Sequence, residues 1–308
     1  MRNPELNSME VISSLEKHDF KASVVSINRI PELKDQVDRL YRQRLFNETF
    51  YQERLKIFDF SISKVFPNDQ SIIIATIKQP IVQVEFLYRG KIHSIIVPPT
   101  YDDKTDRQAL NILEARLAPE GFAVKEANLP EKLLLVMSGL GKYGRNNIAY
   151  VEGMGSFHRP VTFVTDAKLE EMNWGSPTEH EKCLKCKACL KNCPTGAITG
   201  DQFLLKAEKC LTFHNESGRQ FPEWIKSEWH HCLIGCMVCQ NICPLNKEYI
   251  DNIENTVVFS ESETMGILSN TPRERLSHST IDKLKQINLY VDYNLLSRNL
   301  RVLVRNRK

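Results

Sequence analysis

Residues 183–194 read Cys183-Leu-Lys-Cys186-Lys-Ala-Cys189-Leu-Lys-Asn-Cys193-Pro194. Three cysteines follow one another with two residues between them, and a fourth comes directly before a proline. A two-residue gap allows one tight loop to present successive thiolates to different irons of a single cube, and the C-x2-C-x2-C-x3-C-P spacing is typical of 4Fe-4S ligands. The stretch therefore predicts an iron–sulfur cluster.

A partial second copy of this motif lies downstream, as Cys236-Met-Val-Cys239-Gln-Asn-Ile-Cys243-Pro244. The fourth cysteine of such a run ligates the other cluster, so we expect the two motifs to interlock. One cluster is predicted to bind Cys183, Cys186, Cys189 and Cys243. The other is predicted to bind Cys193, Cys236, Cys239 and one more sulfur, for which spacing alone leaves both Cys210 and Cys232 open.

Two other uses of clustered cysteines compete with this prediction. Paired C-x2-C knuckles also form tetrahedral zinc sites, but a zinc ribbon does not need four cysteines in so short a stretch followed by proline. Disulfides are disfavoured because the chain has nine cysteines, an odd number, and all of them lie between positions 183 and 243. Residues 1–30 show no basic and then apolar leader, so the predicted location is a reducing cytoplasm.

The length and composition indicate a soluble protein with two domains. The chain has 308 residues, and domains usually have about 100 to 200. Its 42% apolar content supports a substantial core, while its charges nearly cancel to a formal +3, so no strong field points to a nucleic acid. The apolar stretches fall far short of the roughly 20 residues that cross a bilayer. We therefore expect no membrane partner.

The first half of the chain reads as mixed helix and strand. The clearest strand signals are residues 72–74, 82–86 and 95–97, which are β-branched or aromatic and are punctuated by Pro80 and Gly90. Further strands are predicted over 22–27, 122–125, 148–151 and 161–164. Apolar residues at steps of three and four predict helices over 5–17, 31–45, 106–117 and 131–137.

The composition changes near Pro177 to cysteine, lysine and short loops, and it stays so until about Ile250. Short helices are predicted beyond it, over 262–268 and 281–303. The predicted fold class is α+β: an N-terminal α/β sheet domain over 1–176, a bacterial ferredoxin-like double 4Fe-4S domain over 177–250, and a short helical C-terminal segment over 251–308.

A glycine-rich loop precedes the cysteines, with the sequence Gly139-Leu-Gly141-Lys-Tyr-Gly144-Arg145-Asn146-Asn147. A dinucleotide-binding G-x-G-x-x-G follows a strand and opens a helix, whereas this loop runs from a predicted helix to a predicted strand. Two interpretations stay open. The glycines either only turn the chain, or they let the backbone approach a large ligand that the polar residues at the end of the loop would hydrogen-bond.

With both segments in view, the chain resembles the epoxyqueuosine reductase family and, more distantly, the reductive dehalogenases that share its double-cluster module. The matching residues are Gly139-Leu-Gly141 with Gly144-Arg145-Asn146, Gly155-Ser156-Phe157 beside His158, Phe163-Val164-Thr165-Asp166, Cys183 through Pro194-Thr195-Gly196-Ala197-Ile198, Ala207-Glu208-Lys209-Cys210-Leu211, and Gly235-Cys236 through Cys243-Pro244-Leu245-Asn246. The resemblance covers residues 110–250 well and the N-terminal part in outline.

The resemblance implies a cluster ligand at Cys210 and requires none at Cys232. It also implies an N-terminal sheet flanked by helices that holds a corrinoid (cobalamin), and one-electron transfer from the clusters to its cobalt, with the protein supplying position and burial. The corrinoid pocket would include Gly139, Gly141, Gly144, Arg145, Asn146 and Asn147.

The chain also departs from the family. Epoxyqueuosine reductases carry an acidic proton donor before the glycine loop, but Lys125 takes the aligned place here, with Glu126 beside it. The stretch after Ile250 is short and shows no helical repeat. Both departures argue against tRNA as the substrate, and no catalytic residue is assigned.

These observations lead to one functional prediction and one alternative. The chain is predicted to be an iron–sulfur oxidoreductase that takes electrons from an external low-potential donor and delivers them to a corrinoid or a substrate in the N-terminal domain. The alternative is a non-catalytic electron carrier without a corrinoid. Five histidines could bind iron or cobalt, although ordinary satisfied histidines are expected: His158, His180, His214, His230 and His231.

Overall fold

The computed structural model describes residues 6–61, 70–99, 104–200 and 203–306. These residues form two compact units. The first unit takes the described residues within 1–78, 103–187 and 202–204, and the second takes those within 79–102, 188–201 and 205–308.

Nine strands are found in the described residues: β1 Lys21–Ser26, β2 Ser71–Lys78, β3 Ile81–Tyr88, β4 Lys91–Val97, β5 Val124–Glu126, β6 Gly141–Tyr143, β7 Ala149–Val151, β8 His158–Thr165 and β9 Ile253–Phe259. The α-helices are Ser8–Glu16, Ile30–Arg42, Glu48–Phe50 with a π-helical turn Tyr51–Leu55, Lys104–Leu117, Glu131–Met137, Ala188–Asn192, Leu211–Asn215, Val238–Asn241, Glu261–Leu268, His278–Gln286 and Tyr293–Asn306. Single 3-10 turns occupy Ile27–Arg29, Ala118–Glu120, Glu181–Cys183, Ala207–Lys209, Ser227–Trp229, Pro244–Asn246 and Arg273–Arg275.

The first unit is built on a four-stranded antiparallel sheet in the order β1-β2-β8-β5. Successive side chains of a strand point to opposite faces, and β2 shows why this sheet must be covered on both. Ile73 packs in a core with helices Ser8–Glu16 and Lys104–Leu117, whereas Ile72 and Ile74 pack in a second core with helix Glu131–Met137. All three isoleucines are fully buried.

The second unit has a three-stranded sheet in the order β4-β3-β9. Strand β3 pairs antiparallel with β4 and parallel with β9, which lies far along the sequence. Val84 and Phe86 of β3 join Phe259 of β9 in one core with the last three helices of the chain. The Phe86 and Phe259 rings stack with their centroids 4.8 Å apart.

The predicted α+β class is confirmed, with the sheet domain preceding the cysteine motifs. The compact units divide the chain differently from the predicted boundary at 176/177, because β3 and β4 belong with β9 and the C-terminal helices. Strand β9 itself was not predicted. Its outward-facing Val258 is half exposed, so its apolar residues do not alternate in the usual way.

Candidate functional site

None of the nine cysteines forms a disulfide, so each sulfur can bind iron as a thiolate. Cys183 and Cys232 are buried, and the other seven are partly buried. Within the described residues, no three His, Cys, Asp or Glu side chains converge on one point as the ligands of a single ion would. The thiolates of a 4Fe-4S cube bind different irons and therefore stand around the cube, not around one point.

The Cys193 thiol lies in a loop that directs several hydrogen-bond donors at its sulfur. The Thr195 hydroxyl is 3.5 Å from Cys193 Sγ, and backbone N–H groups of Thr195, Ala197 and Ile198 hydrogen-bond to the same sulfur. Burial acts to raise the pKa of the Cys193 thiol, but these hydrogen bonds outweigh it and the pKa is lowered. Gly196 supplies the left-handed turn of this loop, with φ of +65°. The loop thus favours the thiolate, which is the form that binds iron.

Cys193, Cys210 and Cys232 all lie near Cys236 in the second unit. Burial raises the pKa of the Cys210 thiol, against opposing hydrogen bonds from Thr212 and the Phe213 backbone. Burial also raises the pKa of the Cys236 thiol, and the charges of the three neighbouring cysteines raise it further. Both cysteines that the spacing left open are therefore within electrostatic reach of Cys236.

His231 is held against the Cys236 loop by two hydrogen bonds that fix its tautomer. Its Nδ1 donates to the Trp229 carbonyl at 3.0 Å, and its Nε2 accepts from the Met237 N–H at 3.2 Å. The same Nε2 lies 4.0 Å from Cys236 Sγ. The ring therefore supports the backbone that carries a predicted ligand.

The other four histidines are also engaged by protein groups. His158 Nε2 donates to the Ala149 carbonyl at 3.0 Å, its Nδ1 lies 2.8 Å from the Thr76 hydroxyl, and burial lowers its pKa. His214 Nε2 donates to the Glu208 carbonyl. His180 Nδ1 accepts from the Lys182 N–H, and the His230 ring packs on Phe221. Four of these five histidine rings thus hydrogen-bond to protein groups, and the His230 ring packs against an aromatic ring.

The C-terminal helix Tyr293–Asn306 holds the cysteine-rich part of the second unit. Arg298 donates to the carbonyls of His214 (2.9 Å) and Arg219, and its guanidinium carbon lies 3.9 Å from the centroid of the Phe221 ring. Burial lowers the pKa of Arg298 to about 10. The adjacent Asn299 donates to the carbonyls of Asn215 and Leu233, both at 2.9 Å. Sequence reasoning did not assign these two residues, because their partners lie some 65 to 85 positions away along the chain.

The first glycine of the predicted ligand loop ends a helix. Gly139 follows helix Glu131–Met137 with φ of +79°, and its N–H donates to the Val136 carbonyl. The Leu140 N–H donates to the Leu135 carbonyl, which completes a Schellman motif. A Cβ at Gly139 would lie 2.1 Å from Asn173 Nδ2, so this chain itself fills the space beside the glycine.

The rest of the loop is a tight β-hairpin between β6 and β7. The Asn147 N–H donates to the Gly144 carbonyl, and Asn147 is left-handed with φ of +57°. A type I turn followed by a left-handed residue is a common three-residue hairpin connection. A Cβ at Gly144 would lie 2.5 Å from the Tyr150 ring, and one at Gly141 would lie 2.8 Å from the Tyr150 carbonyl. The glycines therefore accommodate atoms of this chain.

The polar residues of the hairpin also make internal contacts. Asn146 Nδ2 donates to the Tyr150 hydroxyl at 3.0 Å, and Asn147 Nδ2 donates to the Phe203 carbonyl at 2.8 Å. Arg145 Nη2 donates to the carbonyl of Cys183, a predicted cluster ligand, at 2.9 Å. The structure thus brings Arg145 to the cysteine motif.

The segment before the glycine loop holds one carboxyl that sequence reasoning missed. Glu126 is exposed at the end of β5, whereas Glu131 opens the next helix and has its pKa raised to about 7. Burial is the main cause, and the charges of Asp106 and Glu126 add to it against that of Arg159. No sequence signal marks this carboxyl, because its burial depends on the fold.

Comparison with protein families finds a match to the 4Fe-4S double cluster binding domain over residues 182–246. This match covers both cysteine motifs and confirms the iron–sulfur prediction. No helix in the described part of the chain has the length and apolarity to span a membrane.

Curated epoxyqueuosine reductases are similar in sequence over part of the chain. That of Cyclobacterium marinum is 30% identical over 125 residues, which is 40% of this chain and 39% of that protein. That of Pseudomonas aeruginosa is 27% identical over 190 residues, 56% of this chain and 52% of that protein. The aligned part thus spans about half or less of these relatives.

Solved structures extend the likeness to the fold. Epoxyqueuosine reductase from Bacillus subtilis matches with a TM-score of 0.71 and 20% identity, over 96% of this chain and 80% of that one. An epoxyqueuosine reductase in complex with a modified tRNA-Tyr stem loop matches with a TM-score of 0.69 and 19% identity, over 96% of this chain and 80% of that one. The predicted resemblance is confirmed: the chain is similar to the epoxyqueuosine reductases in fold over nearly its whole length and in sequence over about half of it.

Proposed function

We propose that this chain is an iron–sulfur reductase that passes electrons through two 4Fe-4S clusters to an acceptor bound by its N-terminal domain. The observation that carries the proposal is the double cluster match over residues 182–246, within a fold similar to that of known reductases. The chemistry of the donor set fits, because none of the nine cysteines is in a disulfide and the loop around Cys193 stabilises a thiolate.

The proposed ligands follow the motif spacing. One cluster takes Cys183, Cys186, Cys189 and Cys243, and the other takes Cys193, Cys210, Cys236 and Cys239. Bound clusters supply one-electron transfer at a potential that hydrogen bonds to sulfur and solvent exposure adjust. The N–H groups around Cys193 favour the more negatively charged, reduced state, because they donate to its sulfur.

A corrinoid acceptor is supported only by the family resemblance. The contacts of the residues expected to line it favour a role within the protein, since a Cβ at Gly139, Gly141 or Gly144 would meet atoms of this chain and both asparagines donate internally. No step of the proposed reaction is therefore derived through a corrinoid.

A second candidate is reduction of epoxyqueuosine in tRNA, favoured by the match to an epoxyqueuosine reductase bound to a tRNA stem loop. The absence of an acid at Lys125, where that family carries its proton donor, argues against it. Binding to a tRNA anticodon stem loop and restoration of queuosine in a reductase-deficient strain would support this candidate. If the protein neither binds the stem loop nor restores queuosine, yet transfers electrons to an added acceptor, only the proposal of an iron–sulfur reductase would stand.

Anaerobic purification with measurement of iron, sulfide and cobalt tests the central claim. We expect about eight irons and eight sulfides per chain, the content of two cubes. A Cys193→Ser variant should retain about half of the iron. About four irons in the unaltered protein, or zinc in stoichiometric amount, would contradict the proposal. Iron-loaded protein that accepts electrons but reduces no added acceptor, cobalamin or tRNA would favour the non-catalytic carrier.

A further inference from the structure

We propose that the β6–β7 hairpin, residues 141–151, supports the loop that carries Cys183, and that Arg145 is the positioning residue that holds this ligand. This assignment gives the glycine-rich segment a role in the iron–sulfur site in place of the corrinoid-lining role that its sequence suggests. It rests on the proposed function in one respect, namely that Cys183 binds a cluster.

The hairpin is joined to the segment that leads into the cysteine motif by backbone pairing. The Tyr143 N–H donates to the Thr178 carbonyl at 2.8 Å, and the His180 N–H donates to the Tyr143 carbonyl at 2.8 Å. The Cys183 N–H then donates to the His180 carbonyl, also at 2.8 Å. Only two residues separate the paired His180 from the first ligand, so the register of this pairing sets where the Cys183 loop begins.

The hairpin is itself fixed on its other side. His158 of β8 donates to the Ala149 carbonyl of β7, and Asn147 donates to the Phe203 carbonyl. The Tyr143 and Phe203 rings meet edge to face with centroids 5.3 Å apart. These contacts fix the hairpin, and only a fixed hairpin can hold the Cys183 loop in position.

Arg145 reaches beyond the hairpin to the ligand itself. Its Nη2 donates to the Cys183 carbonyl at 2.9 Å, and its Nε is buried with no hydrogen-bond partner among the described residues. No carboxylate in the described part of the chain forms an ion pair with this guanidinium. Partly buried charges are normally paired. The negative charge of a cluster with its thiolate ligands would be the counter-charge of Arg145.

A cation at this place should favour addition of an electron to the nearby cluster, because net charge and hydrogen bonding set cluster potentials. Removing the charge should lower the reduction potential of the cluster bound by Cys183 and leave the other cluster unchanged. A purely structural residue would not produce such a selective shift.

The test uses Arg145→Gln, Arg145→Lys and the control Lys142→Gln in the anaerobically purified full chain. Lys142 is a cation of the same hairpin, but it pairs with the exposed Glu181 and, among the described residues, donates to no cysteine carbonyl. Iron content and circular dichroism confirm loading and folding, and each cluster is followed by redox titration with EPR detection. We expect Arg145→Gln to shift one of the two signals to lower potential, Arg145→Lys to shift the same signal by less, and Lys142→Gln to leave both unchanged.

Unchanged potentials in both Arg145 variants would overturn the inference, as would equal shifts of both signals. If Arg145→Gln fails to fold, Arg145→Lys decides alone by the same criterion of one selectively shifted signal. Loss of cobalamin binding without any change in potential would restore the corrinoid-lining role. An unaltered protein with fewer than two cluster signals would contradict the proposed function itself and not the role of Arg145.

Discussion

Glu131 is expected to make the protein more stable in acid than in base, and replacing it by glutamine should remove that dependence. Its pKa is raised from 4.5 to about 7 in the folded protein, mainly by burial. The folded state therefore holds the proton more tightly than the unfolded state does. Ionisation of Glu131 lowers the free energy of unfolding. This penalty is nearly absent below pH 4.5, grows as the pH rises, and is complete above pH 7.

The size of the effect follows from the difference of about 2.5 between the two pKa values (7 minus 4.5). At about 1.36 kcal/mol per pKa unit, the full penalty above pH 7 is at most roughly 3.4 kcal/mol, and at pH 5.5 it is at most roughly 1.4 kcal/mol. Because Glu131 keeps some contact with water, we expect Glu131→Gln to raise the free energy of unfolding by about half to all of these amounts.

Denaturant unfolding of the cluster-loaded protein under anaerobic conditions, at pH 5.5 and pH 8.5, measures the effect. Glu126→Gln is the matched control, since it removes an exposed carboxylate from the strand just before the same helix. The gain of Glu131→Gln should be larger at pH 8.5 by about 1 to 2 kcal/mol, and the control should show no such difference. An equal gain at both pH values, or a loss at pH 8.5, would refute the reasoning.

Three further predictions concern the predicted ligands and the supporting contacts. Cys210→Ser should lose one of the two cluster signals in EPR and Cys232→Ser should keep both; the reverse result would make Cys232 the ligand. Arg298→Gln should lower the free energy of unfolding by about 1 to 3 kcal/mol, since it removes the donor to the partly buried carbonyl of His214 and the cation packed on the Phe221 ring. A loss below about 0.5 kcal/mol in anaerobic denaturation would contradict this. Gly144→Ala should cost about 1 to 3 kcal/mol more than Gly175→Ala in the same assay, because neither position has a positive φ but a Cβ at Gly144 would lie 2.5 Å from the Tyr150 ring and one at Gly175 would meet nothing within 4 Å. Equal costs would show that the Tyr150 ring moves away freely.

The parts of the fold that sequence could predict are those with a local cause. Helix Glu131–Met137 was predicted with its observed ends, since its apolar run starts after a proline and stops before a glycine. The isoleucines of β2 predicted a buried strand because β-branched residues favour a pleated, packed surface. Strand β9 was missed because its partner, β3, lies about 170 residues earlier, and its sequence shows no clean alternation.

The cysteine site shows the same division between local and distant causes. Spacing within twelve residues was enough to predict cluster ligands around Cys183, because one short loop provides several ligands of the same cluster. The glycine loop could not be interpreted in this way. Its residues have the same identities whether they line a cofactor or form a hairpin, and one contact that favours the hairpin role joins Arg145 to Cys183, 38 positions apart.

Arg145 and Arg298 use the same chemistry in the two units. Arg145 donates to the carbonyl of the predicted ligand Cys183, and Arg298 donates to carbonyls just downstream of Cys210. Neither guanidinium forms an ion pair with a carboxylate among the described residues. An Arg–carboxylate pair would neutralise the cation locally and reduce its field at a cluster. A guanidinium that bonds only carbonyls keeps its charge available to the negative cluster and its thiolates. If Cys183 binds a cluster, as proposed, Arg145 would therefore provide both the position of that ligand and a favourable potential for electron uptake.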